Sequence, residues 1–558
     1  MITRRQVWLL TAGVLAAVVI VAFVLRYPLV IYNAPVSAHP DERGTLGLLW
    51  RLRTESVNPH FFAYPTFYFY LSSFWVRNMS MGQILPTARL LNLLLGCGLG
   101  LAAGGLAWQV TKSRVVLVLT TIFVLFSPEL VYNASYLAVD ALFVTLNVLA
   151  LTLWLRFWAS ADNRIWIAAA IVSGLALGTK YNAVIVLIGM ILIEWRQVGR
   201  KQQQTQPSRL AVYLPFRWRI GLLMGIACIL GAASLLDPAQ LVALMPNRAS
   251  IEPQDVAFVA QWLTLFRLAA VGLLGVCGLI YSFPQQTKRF FFLRPYFALI
   301  VAALIFFAVT PFALVSWQEF LLDVGTELKK NALSGDTRYW FRYGGWLRQY
   351  ESLLALAFTP IGVIVAFRRW PHAALFLASY LLLNYLAIGS ATRGFERYLS
   401  PVLPILYLFA AIGVYWLAVY AAKYVVRPNW QGLVSILLLV FILIGVGVEW
   451  TPKLQQVLGR AGTTDYQHAG YTFIVERGLP DTVHFEGFVP MFELKVHGVQ
   501  ANWIVVEEDG WSETVGENDL LMVDAERRGK ISAEIFPSLN LLWSSDDHLG
   551  LYIYEVIR

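Results

Sequence analysis

The sequence predicts a polytopic α-helical membrane protein of about 13 transmembrane helices, with a small α/β domain at its carboxy terminus. Three observations predict it. Of the 558 residues, 58% are hydrophobic and only 14% charged, and the mean hydropathy is +0.61. A water-soluble chain needs more polar surface than that. Charge is also divided unevenly: residues 463–558 hold 17 acidic and 6 basic side chains, whereas 1–462 holds 37 basic and 17 acidic. Finally, basic residues gather in alternate connections between the apolar runs, the pattern of a chain threaded through a bilayer.

A spanning helix needs about 20 apolar residues. Runs of that kind lie near 7–32, 88–110, 115–132, 138–158, 165–179, 181–195, 220–236, 258–282, 295–315, 351–367, 372–389, 399–422 and 431–448. The first is too long for a signal-peptide core and lacks a small-residue cleavage site, so it reads as a retained anchor. The fifth and sixth are short and separated only by Lys180, which suits tilted or partly embedded segments. With a cytoplasmic amino terminus the inner connections hold 19 basic residues, Lys112 and Arg114 among them, against two acids, Asp162 and Glu194. The amino terminus is therefore expected to be cytoplasmic, and a compact multi-pass chain whose outer loops are too short for lumenal insertions fits the plasma (inner) membrane. An odd number of spans puts the tail outside.

Residues 1–450 form the predicted transmembrane domain, and 451–558 the extracytoplasmic one. In the tail, "DYQHAGYTFIVERG" reads as a helix, and "TVHFEGF", "NWIVVEE", "DLLMVDA", "NLLWSS" and "LGLYIYEV" read as short strands. Its acids, such as those at 507–509, read as a solvated face that shields a cavity or helps choose acceptors. "RKQQQTQPSR" reads as a cytoplasmic linker. Cys97, Cys228 and Cys277 all lie in apolar runs, so neither a disulfide framework nor a zinc cluster is indicated. The charge asymmetry separates membrane part from tail and needs no nucleic acid to explain it.

The connection after the first span, residues 33–87, is the most informative. It opens with "SAHPDER", placing His39, Asp41, Glu42 and Arg43 at the outer membrane face. Leu46, Leu49 and Trp50 then recur at helical spacing opposite Arg43 and Arg53, as in a helix lying in the interface. "NPHFFAYPTFYFYL" follows, rich in rings that favour interfaces. Other ionisable residues at the hydrocarbon edge fall on the same side: Asp140 in "YNASYLAVDALFVTL", Lys180 in "GLALGTKYNA", and Arg393, Glu396 and Arg397 in "SATRGFERYLSPVLP". Such groups are expensive there, so each is a site candidate. Acids and bases from distant segments converging on one leaflet suit a cavity for an anionic lipid headgroup, with carboxylates left for acid–base work. Asp41 and Glu42 also fit a plain role at a helix amino terminus. His39 and His60 lack metal-ligand spacing, so no divalent metal or other cofactor is indicated. "NMS" at Asn78 and "NAS" at Asn133 match the glycosylation sequon, a pattern too common to use.

At these residues the chain resembles the GT-C superfamily of polytopic glycosyltransferases. The acidic pair Asp41-Glu42 after span one is similar to that superfamily's "AsDP-type" pair, as are the outer Asp140 in "LAVDALFVTL" and the late "RYLSPVLP". The branch it resembles is the family 39-like group of protein O-mannosyltransferases and lipid A aminoarabinose transferases, over roughly the first 420 residues. The resemblance implies an enzyme moving a sugar, a hexose or pentose, from a polyprenyl phosphate to a glycolipid, polysaccharide or protein outside the cytoplasm. It implies Asp41 as the base, with Lys180 and Arg397 as phosphate-binding cations. One departure stands out. The aminoarabinose branch carries an acid-Lys-Pro-Pro element in the first loop where this chain has Ala63-Tyr64-Pro65-Thr66, so the resemblance does not by itself imply that branch's substrate or the metal bound by its acid.

Displacing a phosphate from a sugar carbon requires a base for the acceptor proton and cations for the leaving group. The expected roles are Asp41 as base, Glu42 as its partner or a second acid, and Lys180, Arg397 and Arg393 on the donor phosphate. Asp140 either orients a basic residue or binds sugar hydroxyls, and Tyr64 and His60 are candidates for sugar or acceptor contact. A base opposite the leaving group predicts inversion. The competing classes are a polyprenyl-lipid flippase or transporter and a non-enzymatic envelope assembly factor. A transporter would place its ionisable groups near the midplane, in related halves. The sequence shows no such repeat.

Overall fold

The structure, a computed structural model, describes residues 3–34, 36–37, 39–54, 56–201, 294–330, 340–389, 394–459 and 466–478, with scattered positions between 224 and 282 and the strands of the tail. The predicted spans 220–236 and 258–282, the linker, Arg393 and the acids at 507–509 lie largely or wholly outside the described residues.

Among the described residues the helices run in order α1 Arg4–Ile31, α2 Pro40–Thr54, α3 Phe67–Trp75, α4 Met81–Thr111, α5 Arg114–Phe126, α6 Pro128–Asn133, α7 Asp140–Ser160, α8 Asn163–Leu177 and α9 Val184–Lys201. They continue as α10 Arg294–Val309, α11 Phe312–Val315, α12 Trp317–Lys330, α13 Arg342–Tyr350, α14 Leu353–Ala357, α15 Thr359–Arg369, α16 Pro371–Gly389, α17 Leu403–Val425, α18 Gln431–Gly459 and α19 Tyr466–Arg477. Six of them, α1, α4, α7, α16, α17 and α18, are long and apolar enough to cross a membrane. The predicted spans near 115–132, 165–179, 181–195 and 295–315 appear as the shorter apolar helices α5, α8, α9 and α10. The predicted span 351–367 is instead two helices, α14 and α15, meeting at Phe358 with Pro360, which has no N–H to give, in the first turn of the second.

Helices α7 and α17 are buried along much of their length, whereas α1 and α18 bury only a small part of theirs, as expected of peripheral helices facing lipid. Small residues bring the central helices together. A Cβ on Gly362 of α15 would lie 1.7 Å from the Phe409 carbonyl oxygen, and one on Gly413 of α17 2.1 Å from that of Phe358. Only glycine permits this crossing, and in lipid such close backbone contact supplies packing that the hydrophobic effect cannot.

Helix α2 complements its own dipole, with Asp41 and Glu42 in the first turn and Arg51 and Arg53 in the last. Its apolar residues Leu46, Leu48 and Leu49 are buried in the main core. It is thus a packed element of the bundle at this face. The aromatic segment after it also folds onto protein. The Phe62 N–H donates to Asp323 Oδ2 at 2.6 Å and the Tyr181 hydroxyl donates to the Phe62 carbonyl at 2.8 Å.

In the tail, the five predicted strand runs each supply one strand: β1 Thr482–Glu486, β2 Gln500–Trp503, β3 Leu520–Asp524, β4 Leu539–Ser544 and β5 Leu551–Val556. The sheet order is β2-β1-β3-β5-β4, with β1 parallel to β2 and β3, and β5 antiparallel to β3 and β4. One face packs on Tyr471 and Ile474 of α19, and the same cluster takes in Val36, which is fully buried. Val36 lies five residues before Asp41, so the tail seats itself on the strand of chain that leads into the site.

Candidate active site

Four of the residues singled out in the sequence meet as two ion pairs. Arg397, on a 3-10 turn over Glu396–Leu399, closes its guanidinium on the carboxylate of Asp41 at the start of α2. Lys180, just before the 3-10 turn Tyr181–Ala183, places Nζ 2.7 Å from Asp140 Oδ1 at the start of α7. The chain folds this way locally because each acid occupies the first turn of its helix, where backbone N–H groups favour negative charge. Asp41 keeps about a third of its side chain exposed at 32%, whereas Asp140 keeps 3%. Arg397 also has a buried Nε with no hydrogen-bond partner among the described residues. Lys180 sits among three rings, with Nζ 5.7 Å from the centroid of Tyr64, 5.6 Å from Phe143 and 5.5 Å from Tyr398. Rings at these distances stabilise the ammonium without neutralising it.

Both acids face one cavity of about 160 Å³, lined also by Thr45, Leu48, Arg51, Phe61, Tyr64 and Phe69. The aromatic segment expected to anchor the interface therefore contributes three rings to this wall. Arg51 was not anticipated, although its signal was present. Asp41, Thr45, Leu48 and Arg51 recur at three- and four-residue spacing, so one face of α2 presents them all.

Glu42 has a different place from the one expected. Rather than a second acid beside the base, it is fully buried, with Oε1 and Oε2 accepting from Arg89 Nε at 2.7 Å and Nη2 at 2.6 Å. The Leu137 N–H donates to Oε1 at 2.8 Å, and Arg89 donates further to the Tyr32 carbonyl. Burial alone pushes the Glu42 carboxyl up, but the Arg89 charge and these hydrogen bonds outweigh it and hold it below the usual value. The pair locks α2 to α4. His60 is also displaced: its ring Nδ1 lies 2.9 Å from Glu319 Oε2 on a half-exposed surface, and it does not line the cavity.

The linker between α6 and α7 organises both sides of the site. Tyr136 stacks on His39 at 4.2 Å, and the Asp41 N–H donates to His39 Nδ1 at 3.2 Å. The Tyr136 hydroxyl donates to Asn133 Oδ1 at 2.7 Å, while Asn133 Nδ2 donates to Glu129 Oε1 at 2.6 Å and Ser400 Oγ at 2.8 Å. Ser400 in turn donates its N–H to the Arg397 carbonyl at 3.1 Å. One buried amide thus reaches toward Asp41 on one side and Arg397 on the other. It is no exposed glycosylation acceptor. Among the described residues no group of three or more His, Cys, Asp or Glu side chains is placed to hold a metal ion.

The model of the dolichyl-phosphate-mannose-protein mannosyltransferase family matches residues 65–229. No curated protein matches the sequence. Among solved structures, the chain is similar to ArnT from Cupriavidus metallidurans over 98% of both chains, with TM-score 0.57 and 13% identity in the apo state. With undecaprenyl phosphate bound, ArnT gives TM-score 0.55 and 12% identity, again over 98% of both chains. The oligosaccharyltransferase AglB of Archaeoglobus fulgidus, in complex with an inhibitory peptide and a dolichol-phosphate, is similar over 92% of this chain and 70% of its own, with TM-score 0.50 and 12% identity. At such identities the likeness to the solved structures is one of fold. The chain thus shares the fold of these membrane transferases over nearly its whole length, and its residues 65–229 resemble the mannosyltransferase family model.

Proposed function

We propose that the protein transfers a sugar from a polyprenyl phosphate to an acceptor alcohol at the membrane face bearing Asp41, with inversion at the anomeric carbon. The observation that carries this reading is the shared cavity: two carboxylates face it, and each is paired to a cation from another part of the chain. The family match and the polyprenyl-phosphate and dolichol-phosphate complexes of the similar structures support a lipid-phosphate donor.

Asp41 accepts the acceptor hydroxyl proton as its oxygen attacks the anomeric carbon. The carbon–oxygen bond to phosphate breaks, and the polyprenyl phosphate leaves with the electron pair. Arg397 and Lys180 stabilise the charge gathering on that phosphate, in a site dry enough for them to act strongly. In the structure Arg397 is closed on Asp41, which ties up the base. A donor phosphate competes for that guanidinium, whose Nε is still without a partner among the described residues. Binding the donor thereby frees the carboxylate that must act on the acceptor. Asp140 holds Lys180 in place, and Tyr64, Phe61 and Phe69 offer apolar faces to the sugar or prenyl chain. The orientation argued from basic residues makes this face the outer one, with the amino terminus cytoplasmic.

The test is mass spectrometry of cell-envelope glycans with and without the gene, followed by anomeric assignment of the product. A missing hexose or pentose whose linkage is inverted relative to its lipid-phosphate donor supports the reading. An unchanged glycan profile beside impaired lipid translocation would favour a flippase.

A further inference from the structure

A second cavity lies far from the site. Along α4, Arg89 and Thr111 are separated by roughly 33 Å at the helical rise per residue, which matches the thickness of a bilayer's hydrocarbon core. At the Thr111 end, α1, α4, α5 and α18 enclose a groove of about 840 Å³. Its walls are apolar, among them Val14, Val118, Ile122 and Leu443, and its mouth carries Lys112 and Arg114.

The mouth is built for an anion. The Arg114 guanidinium lies 4.5 Å from the Trp8 ring, Trp8 packs edge-on against Trp108 at 4.8 Å, and Lys112 Nζ lies 5.9 Å from the Trp108 ring. The polar contact of Lys112 Nζ is Gln109 Oε1 at 3.0 Å, and Arg114 Nε is buried without a hydrogen-bond partner among the described residues. Burial and the nearby Arg156 lower the affinity of Lys112 for its proton. Cations thus gather here, and among the described residues no carboxylate lines the groove. Two of the four helices that wall it, α1 and α18, are the least buried of the long apolar helices among the described residues, so the groove opens toward lipid tails.

We infer that this groove is a binding site for an anionic glycerophospholipid, with its phosphate on Lys112 and Arg114 and an acyl chain along Val14, Val118 and Leu443. Basic pockets between membrane helices, flanked by tryptophans, recognise such headgroups. The bound lipid ties the loosely packed α1 and α18 to the bundle. The inference does not depend on the role of Asp41.

The full-length protein in mild detergent is titrated with phosphatidylglycerol or phosphatidylcholine, with thermal unfolding and native mass spectrometry as readouts. The wild type should be stabilised by phosphatidylglycerol alone and retain it through purification. A Lys112→Gln/Arg114→Gln double variant should need roughly tenfold more of it or better than that. Val118→Trp, which fills the acyl path and leaves both cations, should weaken retention as well and decides the matter if the double variant does not fold. Equal stabilisation by both lipids, undiminished retention by the variants, or retention of polyprenyl phosphate in its place overturns the inference.

Discussion

Arg397 and Asp41 stand 356 positions apart in the chain and meet as an ion pair at the rim of the cavity. The pair joins a cation suited to a phosphate with the carboxylate proposed as base. Replacing Arg397 by Gln should lower kcat by about 10²-fold, the usual loss when one donor to developing charge is removed. It should also raise KM for the lipid-linked donor. Steady-state kinetics with donor and acceptor varied separately check both effects. Lys at the same position should recover part of the loss, since it keeps charge but not the fork.

Asn133 supports that pair from behind. If its hydrogen bond to Ser400 sets the turn bearing Arg397, Asn133→Ala and Ser400→Ala should each reduce kcat in the wild type. In an Arg397→Ala background the same changes should add almost nothing, because residues acting through one group are not additive. Full additivity in this cycle would reduce Asn133 to a general structural residue.

Glu42 and Arg89 predict a stability effect rather than a catalytic one. Glu42→Gln leaves a buried guanidinium without its countercharge and should destabilise the protein by about 3–5 kcal/mol. Because the folded state holds the Glu42 carboxyl below its ordinary value, its contribution is full above the unfolded pKa and is lost as pH falls through the folded one. Melting temperature of the wild type should therefore drop between about pH 5 and pH 3, and Glu42→Gln should flatten part of that drop.

The Lys180–Asp140 pair is buried at 2.7 Å. Lys180→Met alone strands a carboxylate and should lower the melting temperature more than Lys180→Met with Asp140→Asn does, since removing both charges leaves none uncompensated. Donor turnover should be lost in both. Equal melting temperatures for the single and double variants would deny the coupling.

Much of this site was legible before the fold. Asp41, Asp140, Lys180 and Arg397 were marked by one physical fact, that ionisable groups at the hydrocarbon edge are expensive, and all four converge. Which acid meets which base was not legible, because the pairs join segments with no local signal linking them. Arg89 lies inside an apolar run, and nothing nearby in sequence announces that Glu42, 47 positions away, neutralises it. Asn133 carries no sign of its role beyond a sequon match too common to use, because three residues cannot reveal burial. His60 reads as a candidate for sugar or acceptor contact from its loop, whereas its partner Glu319 arrives from α12. Glu351 at the head of the predicted span 351–367 carries no local sign of its partner either, since the Ser127 hydroxyl that donates to it at 2.6 Å caps α6, far back in the chain.

The central claim is that Asp41 removes the acceptor proton. The measurement that reaches it most directly is sugar transfer by purified Asp41→Asn protein from a polyprenyl-phosphate-linked donor, with a melting curve taken on the same sample. A base contributes about 10²–10⁴-fold, so kcat should fall by that much while the protein stays folded. Transfer within a few-fold of wild type by a folded variant would contradict the account.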